Sequence, residues 1–282
     1  MPSAPPLICY PVPAPVQATP FPLTQTVIDA LRAANLTPTE GDVIAVSSKY
    51  VAISEGRVVT LADVQPSEEA EALAARYNMD AALAQLVLDE ADAVLGGIQL
   101  GFLLTSIHGV ISPNAGLDRS NIPDGQVVLF SERPYVTAAN LCERLQAHYG
   151  VRLGVLLTDS CLMPGRLGTV GIALACAGFA PTQDERGKPD LFGNPMAVTV
   201  RSLADTLASA AGIVMGERDE ATPCALLRNT GVTLTDEDLS AADVAIDWRY
   251  DIYIDALTAG LRNEEVLRAV QDAPPYQPPS VG

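Results

Sequence analysis

The sequence predicts a fold of mixed helices and strands, and three observations predict it. Short apolar runs of strand length are interspersed with segments of helical periodicity, without a strict βαβ alternation. No GxGxxG follows a first strand and no GxxxxGK[ST] occurs, so neither a Rossmann nor a P-loop domain is indicated. Of the 282 residues, 48% are hydrophobic, which is enough for a substantial core.

The elements follow in order. Residues 1–22 are proline-rich and suit an extended arm, with one strand-like stretch at Leu7-Ile8-Cys9-Tyr10. Val27, Ile28, Leu31 and Ala34 recur at helical spacing and predict a helix over 24–35. Gly41-Asp42 turns the chain into a buried strand, Val43-Ile44-Ala45-Val46. Glu55-Gly56-Arg57 turns it again, into Val58-Val59. Ser67 precedes Glu68 and Glu69, which marks a helix start with negative charge at the positive end of the dipole. Two helices are expected to fill 67–95, ended by Gly96-Gly97. Strands follow around 101–112 and 126–130, and a helix at 137–148. Residues 151–158 and 169–179 are strand-like, and 183–195 form a polar loop. Val198-Thr199-Val200 is a short strand, and an apolar-striped helix at 202–214 ends at Met215-Gly216-Glu217. Cys224-Ala225-Leu226-Leu227 is the last strand. Trp248, Tyr250 and Tyr253 read as packing residues, and the chain turns proline-rich again from about 264. The organisation expected is thus an arm over 1–22, a main unit over 23–258, and a helix end with a proline-rich tail over 259–282.

Charge excludes several functions. There are 34 acidic and 17 basic residues, for a net charge of −17. That argues against nonspecific nucleic-acid binding and against an anionic membrane as partner. Phosphates can be held only through a metal, backbone amides or a few placed cations. The five cysteines are scattered and form no CxxC pair, so neither a disulfide framework nor a zinc site is indicated. No apolar run is long enough to span a bilayer and no basic leader precedes one, so a cytoplasmic protein is expected.

Two segments carry candidate chemistry. Asn114-Ala115-Gly116-Leu117-Asp118-Arg119-Ser120-Asn121 and Leu157-Thr158-Asp159-Ser160 each end an apolar run on an acid flanked by small polar residues. Such a strand end presents a carboxylate and hydroxyls together, the oxygen donors that Mg²⁺ and Mn²⁺ prefer. Taken singly, either segment also reads as an ordinary turn. A third segment, Met215 to Pro223, places a Gly, an Arg and several acids between a helix and a strand. It also reads as an ordinary charged loop.

The ordered set of motifs is more specific than any one of them. Ser47-Ser48-Lys49 is followed by Ser54-Glu55-Gly56-Arg57 and by Gln65-Pro66-Ser67-Glu68. His108-Gly109, Asn114 to Asn121 and Thr158-Asp159-Ser160 come next, then Gly187 to Gly193 and Met215-Gly216-Glu217. From about Gly41 to about Arg228 the chain resembles the coenzyme F-420:L-glutamate ligases, or F-420-0 γ-glutamyl ligases. The resemblance implies a two-lobed α+β fold, an intertwined homodimer, and amide ligation driven by GTP through an acyl-phosphate. It implies two divalent ions, Mg or Mn, and L-glutamate or another amino acid as co-substrate. By position, Asp118 and Asp159 would hold one ion and be the catalytic acids. Ser160 and Glu217 would help hold the second. Ser48, Lys49, Asn121, Met215, Gly216, Arg218 and Thr222 would lie around the nucleotide.

The departures bear on function. The family's N-terminal Gly-Leu-Pro segment corresponds to Thr19-Pro20-Phe21-Pro22 here. A family Lys is Ile53, with Lys49 four residues upstream. A family Arg is Met163, while Arg166 and Gly168 persist. An Arg lost from a phosphate site is not a conservative change. Metal ligands are kept while substrate-side cations are thinned. Two readings follow: a metal- and GTP-dependent ligase on the family's acceptor or a changed one, or a non-catalytic homologue that keeps the fold and binds metal or nucleotide as an interaction protein.

Overall fold

The computed structural model describes residues 5–246, 251–254 and 256. The core of residues 1–244 is a mixed five-stranded sheet. At its centre β2 (Val43–Ser47) lies parallel to β8 (Gly154–Leu162), with Val43 opposite Gly154 and Ser47 opposite Thr158. On the other side β2 pairs antiparallel with β12 (Cys224–Arg228). The proline-rich arm supplies β1 (Ile8–Val12), which closes that edge against β12; an edge is where Pro11 costs no ladder bond. The opposite edge is β9 (Thr169–Ala177), antiparallel to β8.

The period of two along β2 divides its side chains between two cores. Ile44 and Val46 pack with Leu31 of α1 (Leu23–Ala33) and with Leu141 and Leu145 of α5 (Pro134–Tyr149). Val43 and Ala45 pack with Leu207 and Ala211 of α6 (Leu203–Met215). With both faces covered, β2 and β8 read as continuous apolar runs rather than alternating ones. Each fully buried aliphatic side chain contributes roughly 1.5–3 kcal/mol.

One helix is unmarked in the sequence. Directly after β2 the chain turns into α2 (Ser48–Ser54), in which Ser48 and Tyr50 to Ile53 are all buried. A helix buried nearly all round has no polar stripe to reveal its period.

A second layer is built from α3 (Glu68–Tyr77), α4 (Ala81–Glu90) and smaller sheets. The Ser67 hydroxyl caps α3 by accepting from the Ala70 amide, as expected. The helices end at Glu90, and Gly96-Gly97 does not terminate them. It lies inside β4 (Ala93–Ile98), at a bulge in the pairing with β5 (Phe102–Ile107). A Cβ on Gly97 would sit 2.8 Å from the Phe102 carbonyl oxygen, so the glycine serves close strand approach. β6 (Val110–Pro113) completes this three-stranded sheet, and β3 (Val58–Thr60) pairs with β7 (Gln126–Val128). β10 (Thr182–Asp184) and β11 (Val200–Ser202) form a short hairpin around the polar loop.

The architecture is mixed α and β, as the sequence predicts. Residues 245–282 form a separate unit, whose described part includes helical residues 252–254. Trp248, Tyr250 and the expected proline-rich tail at 259–282 lie outside the described residues. Among the described residues no helix is long and apolar enough to cross a membrane.

Candidate functional site

The site is built where the parallel pair ends. β2 stops at Ser47, opposite Thr158, and α2 begins. β8 does not stop there, although the sequence suggests a strand ending at 158. It continues to Leu162 paired with β9 alone, past a register shift between Leu157 and Thr158. Asp159 therefore stands in the notch that β2 leaves. The Ser48 hydroxyl, from the first residue of α2, donates to its Oδ2 at 2.5 Å, and the Ser160 amide donates to its Oδ1 at 2.7 Å.

Asp118 arrives from the second layer. Its own amide and carbonyl bridge to Val128 on β7, at 3.0 and 2.9 Å. Upstream, Asn114 is structural: its side-chain oxygen accepts from the buried Leu103 amide at 2.8 Å. The Asp118 Oδ2 takes the Lys49 ammonium at 2.7 Å, and its Oδ1 accepts from the Ser120 amide and hydroxyl at 2.7 and 2.8 Å. Lys49 also donates to the Ser120 carbonyl and hydroxyl, at 2.9 and 2.7 Å. Ser120 belongs to the candidate segment but has no role of its own assigned on sequence; the Asp-x-Ser spacing, an Asx-type turn, is the signal that marks it.

The third wall is the loop after α6. The Asn121 side-chain amide donates to the Arg218 carbonyl at 2.7 Å, joining segments 97 residues apart. The Glu220 carboxylate folds back onto this loop and accepts from the Arg218 amide at 2.7 Å. Gly216 makes room for it: a Cβ there would lie 2.4 Å from the Glu220 carboxyl carbon, and its φ of 75° is in the region that favours glycine. The Arg218 guanidinium itself is exposed beside Asp219.

These pieces enclose one cavity of about 740 Å³. Lys49, Asp118, Asn121, Asp159, Ser160, Met215, Gly216, Glu217, Arg218 and Thr222 line it, and Ser48 stands behind Asp159. Other motifs stay out of the wall. Thr19 to Pro22 do not line the cavity; Ala14 to Gln17 do, held by Tyr50 Oη donating to the Pro15 carbonyl. Leu162 lines it and Met163 does not. Gly187 to Gly193 contribute nothing to it, and Leu191 and Phe192 are 99% and 90% exposed. Ile53 is only 3% exposed and faces both the cavity and an apolar cluster with Ala52 and Val128.

The two acids are held in opposite electrostatic states. Burial pushes the Asp159 carboxyl up to about 6, and the nearby Asp118 charge adds to that, against the hydrogen bonds from Ser48 and Ser160. Burial also works against the Asp118 charge, but Lys49 and Ser120 outweigh it and the net shift is downward. A half-buried carboxylate short of positive charge, beside a second acid and a hydroxyl, fits a hard divalent cation. Among the described residues no three His, Cys, Asp or Glu side chains form a ready cluster, so Glu217 shares the cavity wall without closing on the other two.

Comparison with known proteins agrees with this arrangement of motifs. The profile of the family described as F420-0:Gamma-glutamyl ligase matches residues 16–229. The chain is 38% identical over 192 residues to the "Coenzyme F420:L-glutamate ligase" of Methanopyrus kandleri, covering 67% of this chain and 75% of that protein. It is 40% identical over 197 residues to the protein of that name from Halorubrum lacusprofundi, covering 67% and 76%. With the one from Methanothermobacter thermautotrophicus it shares 34% over 205 residues, covering 72% and 80%. The chain belongs to this family.

Proposed function

We propose that this member of the F420-0:Gamma-glutamyl ligase family is a GTP- and divalent-metal-dependent amide ligase that joins L-glutamate to a carboxylate acceptor. One observation carries the reading. Two acids from different layers, Ser160 of β8 and the loop after α6 line a single cavity of about 740 Å³, large enough for a nucleotide and an acid together.

Asp118, Asp159, Ser160 and Glu217 would hold Mg²⁺ or Mn²⁺, which would neutralise charge on the transferring phosphoryl group. The chain's own residues do the positioning. Ser48 and the Ser160 amide fix the Asp159 carboxylate, and the bridge to Val128 aims Asp118 into the same space. Asn121 holds the loop of Gly216, Arg218 and Thr222 across the cavity, where the exposed Arg218 guanidinium would meet phosphate. A carboxylate oxygen of the acceptor attacks the γ-phosphorus and GDP leaves. The glutamate amine then attacks the acyl carbon. The carbon–oxygen bond to phosphate breaks, inorganic phosphate leaves with the electron pair, and the amine proton goes to solvent. Ile53 and Leu162 add apolar surface to the cavity wall, which favours an acceptor with less charge there than a phosphodiester carries. The exposed Leu191 and Phe192 support a homodimer that covers them.

The test is mass spectrometry. The protein is incubated with GTP, Mn²⁺, L-glutamate and either the F-420 precursor or a panel of simpler acids. GTP-dependent gain of one glutamyl residue is the expected result. Ile53, nearly buried where a cation would face phosphate, favours the second reading, a binding protein without turnover. Retained nucleotide and Mn²⁺ binding with no product and no phosphate release across the panel would establish that reading instead.

A further inference from the structure

We infer that Lys49 is a positioning residue that competes with the divalent ion for Asp118 and thereby couples metal binding to nucleotide binding. The inference rests on the metal and nucleotide reading above. The observation is the full use of the ammonium. Its three contacts are the Asp118 Oδ2 at 2.7 Å, the Ser120 carbonyl at 2.9 Å and the Ser120 hydroxyl at 2.7 Å. An ammonium has three donors, so none is left over. The same Ser120 donates its amide and hydroxyl to the other oxygen of Asp118. Lys49 thus closes a small cage of oxygens on the segment that carries one of the two cavity acids.

A cation of charge two and an ammonium cannot share the Asp118 Oδ2 without strong repulsion. A metal arriving alone must displace Lys49 and leave its charge partly buried, unpaired and beside another cation. A metal arriving with a nucleotide brings phosphate oxygens into the same cavity. Lys49 starts from α2, one residue after Ser48, whose hydroxyl is already on Asp159. Because Lys49 itself lines the cavity, rotation of this stem would carry the ammonium from Asp118 to a phosphate oxygen there. Its charge is then paired in both states, and the two ligands favour each other. By linkage the coupling is reciprocal: nucleotide tightens metal by the factor with which metal tightens nucleotide. Lys49 and Ser120 form a chain-spanning contact between layers, so the ion pair also biases where the Asp118 segment sits.

The experiment compares Lys49→Met with the unaltered protein by calorimetric titration, with circular dichroism and thermal unfolding as the check on folding. Mn²⁺ alone should bind the variant about tenfold tighter, because its competitor for Asp118 is gone. A non-hydrolysable GTP analogue with saturating Mn²⁺ should bind about tenfold weaker, because the cation that would meet phosphate is gone. A structural role alone would shift both affinities the same way. Equal or weaker Mn²⁺ binding by a folded variant would overturn the inference. Ser120→Ala, which keeps the ion pair and removes two of the cage contacts, should shift Mn²⁺ affinity in the same direction and less; an opposite shift would also count against it. If the unaltered protein binds no Mn²⁺ at all, the metal reading itself fails, and the two failures are distinguished.

Discussion

The two ends of the parallel pair β2–β8 hold their acids in contrasting ways. At the N-terminal end Asp42 is 1% exposed and fully partnered. Arg228 at the end of β12 forks onto it, with Nη2 2.6 Å from Oδ2 and Nε 3.1 Å from Oδ1. The Thr39 amide and hydroxyl add two more donors, and the guanidinium lies 5.7 Å over the Tyr10 ring. At the C-terminal end Asp159 has a hydroxyl and an amide as hydrogen-bond donors, but no cation bonded to it, and its carboxyl is raised to about 6. One end is closed by a satisfied ion pair that ties three strands and a loop. The other is left with a charge that the protein does not neutralise, facing a cavity. The difference marks the candidate site: the Asp42 charge is matched within the fold, whereas the half-buried Asp159 has no cation bonded to it. It also follows the general placement of ligands beyond the carboxyl ends of parallel strands.

The largest effect expected is at the closed end. Arg228→Ala leaves the Asp42 carboxylate buried without its cation, and unfolding in urea should show a loss of about 3 kcal/mol. A loss well under half of that would mean the two ends are not as different as the geometry makes them.

The open end should respond with the opposite sign. Asp159 has a folded pKa above its ordinary value, so its neutral form favours folding. The stability it contributes is fully present below about 3.8 and is lost as pH rises through about 6. In metal-free buffer, the unaltered protein should lose about 2 kcal/mol relative to Asp159→Asn between pH 4 and pH 7. Saturating Mn²⁺ should remove most of that difference. Parallel pH profiles for the two proteins would show that Asp159 is as well compensated as Asp42.

The smallest effect sharpens the comparison at one hydrogen bond. Ser48→Ala removes a donor that holds the Asp159 carboxyl down, at a cost of about 1 kcal/mol. The titration midpoint of Asp159, followed by carbon NMR, should move further above about 6. A fall in that midpoint would assign the Ser48 contact the wrong role.

The sequence by itself determined which residues can form elements and which can carry charge. Helical spacing in Val27, Ile28 and Leu31 located α1, and Ser67 located the start of α3, because periodicity and capping are local. Asp118, Asp159 and the loop from Met215 were marked only by the ordered set of motifs along the whole chain, since each segment alone reads as a turn or charged loop. The end of β8 was legible only in part, since whether a strand stops depends on its neighbour: β2 ends at Ser47 while β9 carries β8 on to Leu162. Helix α2 was hidden because packing, and not amphipathicity, makes it a helix. Gly96-Gly97 has the composition of a stop yet lies inside β4 beside a bulge, where at Gly97 Phe102 passes too close for any side chain. Only the tertiary structure set Lys49 against Asp118 and Ser48 against Asp159. It brought Asn121 to the Arg218 carbonyl, 97 residues away, and put Ala14 to Gln17 at the cavity in place of Thr19 to Pro22. Those pairings depend on how two layers close on each other. A one-dimensional pattern records which groups are available; the distance between them, which fixes their charge states, exists only once the chain is folded.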